Sequence, residues 1–173
     1  MKPAEIFMDD FERTEWADSH YAIIGRALVF ASRFESGGKR LSALIGLRKH
    51  RSILDSEKDI DSFMEELRKR SLATHFAQLG LNQGEADDIL KEARLARNEV
   101  AHEIALGMDL CLDLLPKNAM PDLVERVRVL SIRMAKGDFV ISVFASVLTK
   151  EPVPGNTFLG YYVDRVTNWI CES

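Results

Sequence analysis

Apolar side chains recurring at intervals of three and four dominate this chain and restrict what it can fold into. Across residues 12–35, Trp16, Ile23, Ile24, Ala27, Leu28, Ala31 and Phe34 fall on one stripe of a helix with 3.6 residues per turn. Gly37-Gly38 follows, and glycine past the last periodic residue reads as a helix stop. The apolar piece at residues 41–47, interrupted by Gly46, has no assignable type. Ser56-Glu57-Lys58-Asp59 resembles a capping box closed by aspartate, with Ile60, Phe63, Met64 and Leu67 on one face of the helix it opens. That helix is expected to end near Gly80.

Gly84-Glu85 starts the next helix, with Asp87 and Asp88 in the first turn, where the helix dipole favours acids. Its stripe runs through Ile89, Leu90, Ala93, Val100 and Ile104 toward Gly107. Pro121 suits a first helical turn, and Leu123, Val124, Val127, Leu130 and Met134 continue to about Leu148, with Gly137 offering a place for a break. No segment shows the strict alternation of a half-buried strand. The fold expected is all-α: an up-and-down bundle of four to five helices over residues 1–150, a linker at 151–156 containing Pro152, Pro154 and Gly155, and a short C-terminal helical segment at 157–173 packed on the bundle.

Composition narrows the function. With 46% hydrophobic residues in 173, the chain is long and apolar enough to bury a core without staples. Two cysteines, Cys111 and Cys171, at no metal-ligand spacing, argue against a disulfide scaffold or a structural zinc site. The net charge of −4 argues against coating nucleic acid non-specifically, though not against contacts to one or two phosphates. The opening residues, with Asp9 and Asp10, show no signal peptide, and no apolar run approaches membrane-spanning length, so a cytoplasmic protein without a membrane partner is expected. Phosphate-loop, dinucleotide, serine-elbow and His-Glu-x-x-His motifs are missing, and no cofactor or metal is called for.

One constellation carries chemistry: Arg97-Asn98-x-x-x-His102 within the helix after Gly84. On an ideal α-helix Asn98 and His102 lie about 40° apart, so their side chains share a face, while Arg97 and His102 lie about 140° apart and meet only if the arginine folds back. A guanidinium holds phosphate oxygens bidentately, an amide adds a hydrogen bond, and an imidazole moves a proton near neutral pH. The plainer reading is a surface arginine paired with Glu92, Glu99 or Glu103 and a solvated histidine.

The pattern resembles the R-x4-6-H signature of the HEPN superfamily, in which the residue after the arginine is commonly polar, often asparagine, as Asn98 is. That family is an all-α bundle of four or five helices with the signature toward its later part. The resemblance implies a metal-independent endoribonuclease acting as a homodimer, in a toxin, stress or defence setting, with a protein inhibitor or antitoxin as a further partner. His102 would take the proton from an RNA 2′-hydroxyl, Arg97 would stabilise charge on the phosphate, and Asn98 would orient either. RNA is then the substrate and DNA is not cut, because DNA lacks the 2′-hydroxyl. Members silenced by nucleotide transfer carry a tyrosine two residues after the histidine, and this chain has Ile104 there. Other members keep the fold without nuclease activity, so a non-catalytic module binding nucleotide, RNA or a protein is the alternative. A third reading, a helical interaction protein outside the family, has no motif behind it.

Secondary candidates for an RNA track are Arg48, Lys49 and Arg51, beside His50, and Arg26 and Arg33, seven apart on one helix face. A solvated turn is the plainer reading of the first group. His20 and His75 are expected to make local hydrogen bonds, and Trp16 and Trp169 to anchor a core or a dimer.

Overall fold

The computed structural model describes residues 13–50, 56–80, 84–104, 111–155 and 157–172, which form a helical bundle with no strand among them. Six α-helices lie within these residues: α1 (Glu15–His50), α2 (Glu57–Lys69), α3 (Leu72–Gln78), α4 (Glu85–Asn98), α5 (Met120–Thr149) and α6 (Thr157–Cys171). A π-helical turn, Glu99–Ile104, continues α4. Arg51 and the expected helix end at Gly107 lie outside the described residues.

Helix α5 is the hub, packed by α1, α4 and α6. Its first half buries Val127, Leu130, Met134 and Ala135 with Ile23, Ala27 and Phe30 of α1, Ala96 of α4, Val100 and Ile104 of the π turn, and Val163 and Ile170 of α6. Its second half brings Ile141 to Phe34 and Leu41 of α1, Phe76 of α3, and Leu90 and Ala93 of α4. The order of these contacts fixes direction: α4 runs antiparallel to α1 and α5, and α6 returns antiparallel to α5, with Phe158 beside Phe139.

The glycines act differently from their expected role. Helix α1 runs unbroken through Gly37, Gly38 and Gly46 to His50, taking in the unassigned stretch 41–47. A Cβ on Gly38 would sit 2.7 Å from the Phe76 ring and 2.9 Å from Leu72 of α3, and one on Gly46 would sit 2.6 Å from the Phe63 ring of α2. These residues let α2 and α3 close onto α1, so in sequence they look like a stop while in the fold they are contact points. Gly137 likewise does not break α5. A Cβ there would collide with Ala93 Cβ and come within 2.9 Å of Phe34.

Local signals hold where the partner is close in sequence. Ser56 caps α2 with a reciprocal box: its hydroxyl accepts from the Asp59 N–H at 3.2 Å while Asp59 accepts from the Ser56 N–H at 3.1 Å. Gly84 is the N-cap of α4, and Pro121 lies in the first turn of α5. The single helix expected up to Gly80 is instead two, interrupted at Arg70–Ser71, where Ser71 caps α3. Asp113 ties the connection after the π turn back to α1, accepting from Thr14 N–H at 2.8 Å and Thr14 Oγ1 at 2.6 Å.

Two histidines diverge. His20 Nδ1 lies 2.7 Å from the Trp16 carbonyl, the local bond expected of it. His75 on α3 is fully buried, and its ring nitrogens make no well-formed hydrogen bond although the Leu67 and Arg70 backbone lies beside them. Burial pushes its pKa below the ordinary histidine value and the Lys39 charge adds to this; the neighbouring Leu67 and Arg70 backbone offsets only part.

The unfolded chain therefore binds a proton on His75 at a higher pH than the folded one does. The His75 contribution to stability is fully present above about pH 6.5 and is lost as pH falls toward the lower, folded pKa. Urea denaturation should show wild type losing more stability between about pH 7.5 and about pH 5.5 than His75→Leu, with equal losses refuting the assignment. A second pair of variants tests the packing. Gly137→Ala should lose stability, because overpacking costs about 1–3 kcal/mol against about 1 kcal/mol gained from alanine in a helix. Gly25→Ala, whose Cβ meets nothing within 4 Å, should gain up to about 1 kcal/mol in the same urea titration.

Candidate functional site

Arg97 and Asn98 are the last two residues of α4, and the regular α-helix gives way to the π turn immediately after them. Val100 and Ile104 anchor that turn in the core while His102 and Glu103 are exposed. A π turn bonds i to i+5 rather than to i+4, which brings a residue five positions on closer to the starting azimuth than an α-helix does.

The arginine is not an open surface side chain. Arg97 Nη2 pairs with Glu35 Oε2 on α1, its Nη1 donates to Asn98 Oδ1 at 3.2 Å, and its Nε is buried without a partner. Its side chain is only 22% exposed. Glu35 also pairs with Lys39 Nζ at 2.6 Å, one helical turn on. Burial alone would raise the Glu35 carboxyl, but Lys39 and Arg97 outweigh it and hold the pKa below the ordinary glutamate value. Lys39, Glu35 and Arg97 together carry a net charge of about +1, so the single carboxylate does not cancel the local positive field.

The acids near Arg97 in sequence are used elsewhere. Arg126 of α5 binds Glu99 at 2.6 Å through Nε and Glu103 at 3.0 Å through Nη2, clamping the π turn to the bundle. The partner of Arg97 therefore lies 62 residues away on α1 rather than among Glu92, Glu99 and Glu103. Asn98 bonds Arg97 and not His102; the histidine has no hydrogen bond to either of them.

The secondary candidates do not gather around this point. Arg26 donates through Nε to the Ile170 carbonyl and through Nη2 to the Glu172 carbonyl, each at 3.0 Å, which satisfies carbonyls left open at the C-terminus of α6. Arg33 pairs with Asp138 of α5 at 3.5 Å. Arg48 and Lys49 are exposed in the last turn of α1, about 20 Å along the helix from Glu35. Arg51 lies outside the described residues.

Two residues that sequence reading passed over hold the region together. Glu35 could have been flagged by Lys39 four positions on, but nothing local points it at Arg97. Asp138 is a charge inside an apolar run, buried to 4% exposure and bonded by the Tyr162 hydroxyl as well as by Arg33. Such a residue demands partners, and sequence cannot say which. Among the described residues no three His, Cys, Asp or Glu side chains gather closely enough to hold a metal ion, and Cys111 and Cys171 are free thiols. Among the described residues no helix is long and apolar enough to cross a membrane.

No family model matches the chain, and neither a curated protein nor a solved structure is significantly similar to it. The HEPN likeness accordingly stands on residues 97–102 and the helical fold.

Replacing Glu35 by glutamine should expose the worth of the Arg97 contact. With both partners largely shielded, Glu35→Gln is expected to cost about 1–3 kcal/mol in urea unfolding. Glu65→Gln, which removes the exposed pair with Lys69, should stay within about 0.5 kcal/mol.

Proposed function

We propose that this chain is a HEPN-like endoribonuclease that cuts RNA without a metal ion, as a homodimer, in a toxin, stress or defence role in the cytoplasm. The observation that carries the reading is the junction at Asn98–Glu99. There Arg97 and Asn98 are joined at 3.2 Å just before a π turn that leaves His102 exposed. π turns inside helices occur frequently at functional sites, and this one falls within the R-x4-H pattern.

In this reading the His102 imidazole removes the proton from a ribose 2′-hydroxyl, and the oxygen attacks the adjacent phosphorus. The 5′-oxygen departs, taking a proton from water while His102 later returns its own to solvent, and the upstream fragment ends in a 2′,3′-cyclic phosphate. Positioned proton transfer of this kind contributes about 10²–10⁴-fold. The net positive Lys39–Glu35–Arg97 group supplies charge opposite the phosphate oxygens, and Glu35 fixes the direction of the guanidinium before RNA arrives. Asn98 holds the other edge of the same guanidinium.

The Arg97–Glu35 pair also favours a second reading, because an arginine already bound to a carboxylate has fewer donors left for phosphate. In that case the chain is a non-catalytic HEPN-like module that binds nucleotide, RNA or a protein partner.

Incubation with total RNA in excess EDTA separates the two. Wild type should release fragments ending in 2′,3′-cyclic phosphate, and His102→Ala should lower the rate by at least about 100-fold while helicity and melting stay unchanged. Arg97→Ala should be equally inactive, though less stable, since it removes one of the two cations paired with Glu35. Intact RNA from a folded wild-type protein would leave the binding module as the account. Equal cleavage by wild type and His102→Ala would remove His102 from the chemistry.

A further inference from the structure

On the flank of α1 away from Glu35, α1 and α6 border an open groove of about 390 Å³ lined by Phe30, Arg33, Tyr162, Arg165, Val166 and Trp169. Its volume lies within the range of small-molecule sites, and its walls are largely apolar. Phe30 is buried, Tyr162 and Val166 are half-buried, and Trp169 remains 51% exposed. A tryptophan left so open at the edge of an apolar hollow presents a flat π face to whatever enters.

The polar groups are few and of one sign. The Tyr162 hydroxyl is turned to Asp138 and used there, so the ring offers the groove hydrocarbon rather than a hydroxyl. Burial, followed by the hydrogen bond to Asp138, raises the Tyr162 pKa well above the ordinary tyrosine value, so that hydroxyl keeps its proton. What remains are two guanidiniums. Arg33 makes a long 3.5 Å ion pair with Asp138 and lies beside the Tyr162 hydroxyl, and Arg165 spends one Nη1 donor on the Tyr161 hydroxyl at 3.1 Å. Each guanidinium has five N–H donors, so both have donors to spare. No carboxylate lines the groove among the described residues, and Asp138 behind it is already held by Arg33 and Tyr162.

We propose that this groove is a binding site for a small aromatic anion: a flat ring system carrying a carboxylate or a phosphate. The ring lies among Phe30, Tyr162, Val166 and Trp169, and the anionic group takes the free donors of Arg33 and Arg165. Planar anions match the guanidinium fork, and an aromatic face suits both the indole and the arginine planes. A sugar-like ligand is disfavoured, since the walls offer its hydroxyls almost nothing but two cations. The assignment is independent of the nuclease reading.

Calorimetric titration of the full chain tests it with probes that share one ring. 2-Naphthoate or 2-naphthyl phosphate should bind with Kd below about 1 mM, and the stronger of the two identifies the anionic group. Neutral 2-naphthamide and inorganic phosphate should each bind at least about tenfold more weakly than that probe. Arg165→Gln changes an exposed side chain and should weaken the anion by at least about tenfold, about 1.4 kcal/mol. Trp169→Ala should weaken it similarly, with circular dichroism verifying that both variants keep their helices. Binding of neither naphthyl anion would overturn the proposal. So would naphthamide or inorganic phosphate binding as tightly as the anionic probe, or affinity unchanged in both variants.

Discussion

The bundle depends on how closely α5 approaches its neighbours at Gly137. There the backbone of α5 lies against Ala93 of α4 and the ring of Phe34 of α1, with no room for one additional carbon. Small residues on both sides set the spacing, because interiors are packed to crystal-like density and cannot absorb a methyl group by flowing around it. The next residue is Asp138. The close approach therefore draws a carboxylate into the core, where it must be bonded, and Arg33 of α1 and Tyr162 of α6 both reach its Oδ2. One glycine thus brings together the apolar seam of α1, α4 and α5 and the polar tie that fastens α6.

The same logic explains how α1 serves as the long spine of the molecule. Three of its polar side chains are bonded across to different helices: Arg26 to the end of α6, Arg33 to α5, and Glu35 to α4 through Arg97. Apolar burial supplies most of the driving force but is non-directional and tolerates sliding. A guanidinium between a carboxylate and an amide does not tolerate sliding, so such ties fix the rotation and register of each helix against α1. The Lys39–Glu35–Arg97–Asn98 chain does this at the point where α4 leaves regular geometry.

Sequence reading succeeds here wherever the deciding partner is within about one turn, and fails where it is far along the chain. The Ser56–Asp59 box, the Gly84 start and the apolar stripes of α1, α4 and α5 are local patterns with local causes. Gly37-Gly38 carries the same local signature as a helix stop, but what governs it is the arrival of Leu72 and Phe76 more than thirty residues later. Arg97, Asn98 and His102 were identifiable as a group by residue type and spacing. Their bonding was not, since Glu35 is 62 positions away and the acids that looked available are held by Arg126. The π turn has no pattern of apolar spacing that separates it from the α-helix it extends. His75 looks in sequence like any helical histidine, and only the packing of α3 on α1 leaves it buried without a well-formed hydrogen bond.

The two candidate sites are set on opposite flanks of one helix, which governs how they can influence each other. Arg33 faces the α6 side and Glu35 the α4 side, two residues apart and therefore about 160° apart around α1. Between them stands Phe34, fully buried against Gly137 and Phe76. No hydrogen-bonded path crosses from the Arg33–Asp138–Tyr162 group to the Lys39–Glu35–Arg97 group among the described residues. A ligand beside Trp169 could alter the π turn only by rotating or shifting α1 as a body, and Phe34 resists that motion because its ring is wedged at the tightest point of the core. Coupling needs two discrete arrangements of a shared element, and the packing here provides one. The chemistry proposed at His102 and the ligand proposed for the α1–α6 groove are therefore separate proposals, and either can hold without the other.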